Sequence, residues 1–440
     1  MSSVTLNDAS MEKRLDGWKA IARHISRSCR TVQRWYAVYG LPIYRLHGKK
    51  SSVFAYCTEL DDWMKNRDLE MTGDHAEIPN PVQLRISSLK TNANHQVQHD
   101  DFRVVSESAY SQSAALVGHA MKFWPILSVG NITEMARLFR KAIELDLSNA
   151  TAFAGLSQVL IVEGLWSLVR TPVACNAART AIQWALEIDS ELPAARCAAA
   201  WLKTIQTQDW AGASRDFDEL LTLHPPPPLA RVGRAALYIA AGCCKQASAM
   251  LLKAVQASPL SSIEVGWYCW SEYLEGEYRN ALHQLEEYRV SGRTDPIINA
   301  VEALVSIQLE EPEAQITRLE MLVASSSRND VLRGALGYAY ARTGQPEKAI
   351  DILAAMTIPT SQEENHEPFA LALVLIGLDR KQEAVEWQER SYQEGSLWSL
   401  GFRYDPILAT FGNDPHYQAF LSRVSYPVSS SSGLQPGFSG

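Results

Sequence analysis

Between about Tyr110 and Val424, apolar residues recur at the i, i+3, i+4, i+7 spacing of amphipathic helices, on a background rich in alanine. The helical pattern itself repeats. Alanines stand near the start of a helix at Ala178, Ala213, Ala247, Ala281, Ala314, Ala349 and Ala384, with spacings of 35, 34, 34, 33, 35 and 35. The stretch GALGYAYARTGQPEKAIDIL is the cleanest unit. It places Leu336, Gly337 and Tyr340 on one helix, Ala349 and Leu353 on the next, and Gly344 at the turn between them. Small residues let the two helices approach, and large ones fill the space beside them.

A period near 34 with one helix–turn–helix per unit resembles tetratricopeptide repeats. The resemblance runs over roughly 110–424 and predicts seven to eight repeats. LFRKAIELDLSNATAFAGL fits with Phe139 and Ala142 on a second helix and Phe153 and Leu156 on the next first helix. The unit around Ala314 is the least regular. The stretch from Trp166 to Ala178 is about nine residues too long for the period, which predicts an inserted loop. HPPPPL, His224 to Leu229, reads as a stiff turn between repeats. GFRYDPILATFGNDPHYQAFLSRV resembles the ending often found on repeat regions of bacterial transcription regulators.

The N-terminal part is patterned differently. In LDGWKAIARH, Leu15, Trp18, Ala22 and Ile25 form one helical stripe, with Asp16 placed to cap its start. A break at Ile25–Arg27 follows, and Ser28 stands where the next N-cap belongs. On the second helix Val32, Trp35 and Tyr39 face a core, while Arg30, Gln33, Arg34 and Ala37 fall on the other side; Gly40 and Pro42 end it. IYRLHGKKSSVFAY reads as a hairpin with a basic tip at His47-Gly48-Lys49-Lys50. TELDDWMKNR then opens a last helix at Thr58, with Leu60, Trp63 and Met64 inward.

This order, and the phrases SRSCRTVQRW, GLPIYRLHGKKSSVFAY and TELDDWM, resemble the winged helix-turn-helix head of excisionase and MerR-type proteins over nearly all of 14–67. The resemblance implies a recognition helix in the major groove of DNA. Arg30, Gln33 and Arg34 then reach base edges, Ser28 and Thr31 hold phosphate at the helix start, and Arg27, Arg45, Lys49 and Lys50 add salt-sensitive backbone contacts. MerR-type regulators continue into a long dimerising helix. Here a polar stretch follows, so dimerisation through that element is not implied.

Charge agrees with a split chain. The 440 residues carry a net −8, yet 11–68 hold twelve Lys/Arg against six Asp/Glu, a local +6 that leaves −14 for the remainder. Such asymmetry suits a basic head for nucleic acid on an acidic body. Seven cysteines without a CxxC pair argue against a disulfide framework or a zinc site. MSSVTLNDAS lacks the regions of a signal peptide, and no apolar run reaches the length of a membrane span. A cytoplasmic protein is expected. The most apolar stretch, Phe153 to Val169, is broken by Ser157, Gln158, Glu163 and Ser167 and reads as a buried helix.

Phosphate-loop, GxSxG and HExxH signatures are absent. Adjacent pairs such as Asp61-Asp62 and Glu363-Glu364 do not face one another on a helix. No catalytic residue, metal or cofactor is expected. The expected fold is mainly α: a small winged helix-turn-helix domain at 11–68, a polar linker at 69–108, an α-solenoid of tetratricopeptide-like helix hairpins at 109–424, and a disordered tail at 425–440. The expected function is a DNA-binding transcriptional regulator that contacts double-stranded DNA through 11–68 and binds a peptide or protein partner on the concave face of the solenoid, lined by the first helices. The alternative is a scaffold or adaptor whose head contacts protein rather than DNA.

Overall fold

The computed structural model describes residues 14–25, 32, 44–45, 53–57, 60, 99–293, 295–309, 311–326, 329–357 and 366–424. It divides into two compact units, Met1–Gln83 and Leu84–Gly440.

The first unit holds a three-stranded antiparallel sheet in the order β1-β3-β2, formed by β1 (Arg14–Asp16), β2 (Tyr44–Arg45) and β3 (Val53–Tyr56). The two runs expected to form a hairpin do pair, with Tyr44 opposite Phe54 and Arg45 opposite Val53. Strand β1 was not expected: it sets Leu15 opposite Ala55, so Leu15 and Asp16 belong to a strand and not to the helix stripe. The helix α1 (Trp18–His24) is instead entered through Gly17, whose φ of 83° reverses the chain and whose N–H donates to the Val53 carbonyl at 2.7 Å. Asp16 therefore does not cap it. Ile21, Ala22, Ile25, Val32, Val53, Ala55 and Leu60 form one buried cluster, with Leu15 and Trp18 packed on its edge. The inward roles read for Ala22, Ile25, Val32 and Leu60 match that cluster. Trp35, Tyr39, Trp63 and Met64 lie outside the described residues.

The second unit is a stack of antiparallel helix pairs. They are α2 (His99–Met121) with α3 (Val129–Leu145), α4 (Ala150–Leu165) with α5 (Thr171–Ile188), α6 (Pro193–Leu202) with α7 (Trp210–Leu221), and α8 (Ala230–Ala240) with α9 (Cys244–Ala257). The series continues with α10 (Ser262–Leu274) and α11 (Tyr278–Val290), α12 (Pro296–Leu309) and α13 (Pro312–Ser325), α14 (Asp330–Arg342) and α15 (Pro346–Thr357), then α16 (Pro368–Gly377) and α17 (Lys381–Gln393). Two 3-10 turns, Leu397–Gly401 and Leu408–Phe411, and a closing helix α18 (Pro415–Arg423) complete it. The unit is thus mainly helical and has the form of a tetratricopeptide-like hairpin solenoid. Helix α2 opens at His99, inside the stretch 69–108 that the sequence reads as linker.

Local signals explain the helix ends. Asn149, Asp209 and Asn329 each accept the N–H three residues on, satisfying a free donor of the first turn. Gly344, at φ 79°, ends α14 in a left-handed cap, and the next N–H, of Gln345, reaches back to the Tyr340 carbonyl at 2.8 Å. The repeat register is set by small residues on the second helices. Ala178, Ala213, Ala247, Ala281, Ala349 and Ala384 are fully buried against the preceding helices.

Two expectations change. Ala314 is exposed and Gln315 takes the buried place in its stead. Spacing from Ala281 to Gln315 and on to Ala349 is then uniform. Gln315 is polar because its Nε2 donates at 3.1 Å to the carbonyl of Ile307, in the last turn of α12, where no glycine cap follows. The surplus between Trp166 and Ala178 is also not a large loop. Helix α5 starts at Thr171 and runs for 18 residues, so most of the surplus is extra helix. No helix among the described residues is long and apolar enough to cross a membrane.

Candidate functional site

Of the residues expected to touch DNA, Arg27, Ser28, Arg30, Thr31, Gln33, Arg34, Lys49 and Lys50 lie outside the described residues. Arg45 is in strand β2, opposite Val53 in the strand pair next to the connection between β2 and β3. In the head, the three-stranded sheet and its apolar cluster form the scaffold.

The first helices form the inner layer of the solenoid. Every residue of α10 and every residue of α16 is buried, polar ones included. A helix lining an open groove keeps one face wet, so something covers these helices on the groove side. Part of the cover is Leu127, after α2, whose carbonyl accepts from Ser262 of α10 at 3.3 Å; the larger part is the chain's own segment from Glu394 to Phe411. Leu397, Trp398, Leu400, Phe402, Ile407, Leu408 and Phe411 are all buried.

Aromatic rings fasten the segment to the inner layer. Starting from Phe217 on α7, ring contacts run to Trp201 on α6 at 6.0 Å, to Trp267 at 5.8 Å and to Trp270 on α10 at 5.2 Å. Trp270 meets Trp398 of the segment at 5.3 Å, edge to face, and Trp398 stacks on Phe369 of α16 at 5.6 Å. Phe369 continues to Phe402, and Phe402 to Phe420 of α18. Edge-to-face pairs of this kind add to the apolar burial of the rings themselves. Two glycines permit the close fit. A Cβ on Gly395 would stand 2.5 Å from the Ile205 carbonyl oxygen, and one on Gly401 would stand 3.0 Å from the Trp270 ring.

Two buried carboxylates supply the polar anchors. Glu367 accepts from Ser396 at 2.7 Å, from Ser167 at 2.8 Å and from the Phe369 N–H at 3.3 Å. Burial pushes its carboxyl up, against the pull of those donors, and the nearby Asp330 adds to the rise. Asp405 accepts from the N–H groups of Ile407 and Leu408 and from the Tyr273 hydroxyl of α10 at 3.3 Å. Burial raises it to about 6, with the donated hydrogen bonds opposing. Closer to solvent, Arg170 pairs with Glu394 at 3.1 Å and Tyr392 donates to Gln208 at 2.6 Å.

Little space is left. A cavity of about 20 Å³ lies among Trp166, Asp330, Val331, Glu367 and Trp398, and one of about 10 Å³ lies under Gly395. Each holds a water molecule at most. The concave face expected to receive a partner is thus occupied by the chain itself. Sequence reasoning missed this, although the signals were present: Trp398 and Phe402 fall outside the repeat period, and α16 has no polar face.

The cysteine thiols offer no reactive group in the core. Burial raises Cys175 and Cys244 to about 12 and Cys197 and Cys269 further. Among the described residues no three His, Cys, Asp or Glu side chains gather as a metal site.

No protein-family model and no curated protein matches the sequence. Among solved structures, the chain is similar to a tetratricopeptide repeat protein from Parabacteroides merdae, at 15% identity over 60% of this chain and 99% of that one, TM-score 0.37. It is similar to yeast Tom70 at 14% identity over 83% of this chain and 82% of that one, TM-score 0.39. It is similar to a chain of the Cut9-Hcn1 hetero-tetramer at 15% identity over 75% of this chain and 60% of that one, TM-score 0.46. The helix order and the buried register of the second helices define the hairpin solenoid.

Proposed function

We propose that this chain is a non-catalytic adaptor whose hairpin solenoid binds a protein partner. The observation that carries the reading is the division of labour between its helices. First helices build a continuous inner layer, the side on which stacked repeats bind partners, while second helices bury one face and leave the other to solvent. Cross-linking of the intact chain in cells of its source, with nuclease present, tests this. The adaptor reading expects a protein cross-linked to the solenoid that survives nuclease. Recovery of nothing beyond nuclease-sensitive material would overturn it.

A second reading adds DNA to the head. It is favoured by the +6 carried by 11–68 against −14 elsewhere and by the Lys49-Lys50 pair in the sequence between strands β2 and β3. In this reading the head supplies a nucleic-acid address, and the chain is a transcriptional regulator. Duplex binding by the intact chain should then fall steeply with salt. Changing Arg30 and Arg34 to alanine should cost sequence preference, and changing Lys49 and Lys50 should weaken all duplexes alike. No duplex binding at low salt leaves the head as a protein-contacting module.

A further inference from the structure

Residues 394–411 form no helix hairpin; they run over the inner layer in two 3-10 turns, Leu397–Gly401 and Leu408–Phe411. Their backbone hydrogen bonds are local: Ser396 N–H to Ser391, Ser399 to Ser396, Phe402 to Ser399, Asp405 to Gly401 and Ala409 to Asp405. Among the described residues, none of these bonds runs to an inner-layer helix. As between the hairpins themselves, side chains make the attachment, through Trp398 between Trp270 and Phe369, Ser396 on Glu367, and Asp405 at the Tyr273 hydroxyl.

The segment also carries a small core of its own. Tyr417 of α18 donates to the Phe402 carbonyl at 2.8 Å, Arg403 donates to the Leu421 carbonyl, and Phe402 packs on Phe420. It follows the last hairpin, and the only described element beyond it is α18. Anchoring by an aromatic wedge, a second ring and an acidic hydrogen bond, with backbone bonding satisfied internally, is how a bound peptide is held in a groove.

We propose that the inner face of the solenoid is a recognition surface for an aromatic–acidic peptide, and that residues 394–411 are its resident ligand. The recognised pattern is Trp-x3-Phe-x2-Asp, read by Trp270 and Phe369 at the tryptophan and by Tyr273 at the acid. A partner protein bearing that pattern displaces the resident segment, an extension that rests on the adaptor reading above. Covalent attachment gives the resident a high effective concentration, so the intact chain binds such a partner only when the resident is loosened or the partner is abundant.

The test uses the intact chain and a fluorescent synthetic peptide of residues 394–412. Anisotropy should show weak binding to the wild type. Binding should be at least tenfold tighter to the chain carrying Trp398→Ala with Phe402→Ala, whose own segment is loosened. A peptide with Trp398→Ala should bind neither chain. Hydrogen exchange on the wild type gives a second readout that needs no variant: amides of 396–411 should open before those of Trp267–Leu274. If the two sets open only together, or if the peptide binds neither chain, the segment is inseparable core and the proposal falls. Peptide binding without any cross-linked cellular protein would sink the adaptor reading and leave this recognition surface standing.

Discussion

The inner and outer layers of the solenoid come from the same hairpins but obey different side-chain rules. In the outer layer, α15 buries Ala349, Leu353 and Met356 and leaves Ile350 half exposed, an ordinary one-faced helix. Its inner neighbour α16, PFALALVLIG, buries every residue. The difference teaches what each layer meets. An outer helix packs on the first helices before and after it and meets water on its other face. Inner helices such as α10 and α16 have hairpin partners on one side and further segments of the chain on the other, Trp398 of the C-terminal segment among them. All-round burial of a first helix is therefore a mark of a groove already filled.

The largest test of this contrast is Trp270→Ala. Trp270 is 1% exposed and touches both Trp267 and Trp398. Its loss should cost about 3–5 kcal/mol in urea unfolding, as for a fully enclosed aromatic. A cost below about 1 kcal/mol would mean that the inner face is open to solvent. Next comes Asp405. Its folded carboxyl, at about 6, lies above the value of an unfolded aspartate, so the folded chain holds the proton more tightly. The stability this contributes is complete below about pH 4 and is lost as pH rises through about 6. Asp405→Asn should flatten that slope and stabilise the chain at pH 7 by about 2 kcal/mol, measured by unfolding across pH. A slope unchanged by the substitution would place Asp405 in water. Gly334→Ala probes contact between first helices. The added methyl would meet the Ala370 carbonyl oxygen at 2.5 Å, and the expected loss is about 1–3 kcal/mol. At the outer surface, Val290→Ala, 89% exposed, should change stability by less than about 0.5 kcal/mol. A larger effect there would reveal a covered outer face.

Much of the solenoid was legible because its signals are local. The alanine register and the Gly344 turn each rest on a helix and the turn beside it; the caps at Asn149 and Asn329 are as local but came from the structure. Gln315 shows where that legibility stops. Its amide replaces a missing glycine cap on the helix before it, so the register survives there without the residue that marks it elsewhere. Strand β1 was hidden because Leu15 and Trp18 fit a helical stripe as well as a strand followed by a helix, and only pairing with Ala55 decides between them. The filled inner face was least legible. Trp398 meets Trp270 across more than a hundred positions, and no periodicity carries a contact of that range.

The run of rings from Trp201 through Trp267 and Trp270 to Trp398 also has an optical meaning. Centroids 5.2–5.8 Å apart bring neighbouring indoles close enough for their excited states to couple. The four should absorb and emit as one chiral chromophore, with an exciton signature in near-ultraviolet circular dichroism. Because the last ring belongs to the C-terminal segment, movement of that segment would break the array at one end. The protein thus carries an intrinsic, label-free spectroscopic reporter of whether its own groove is filled.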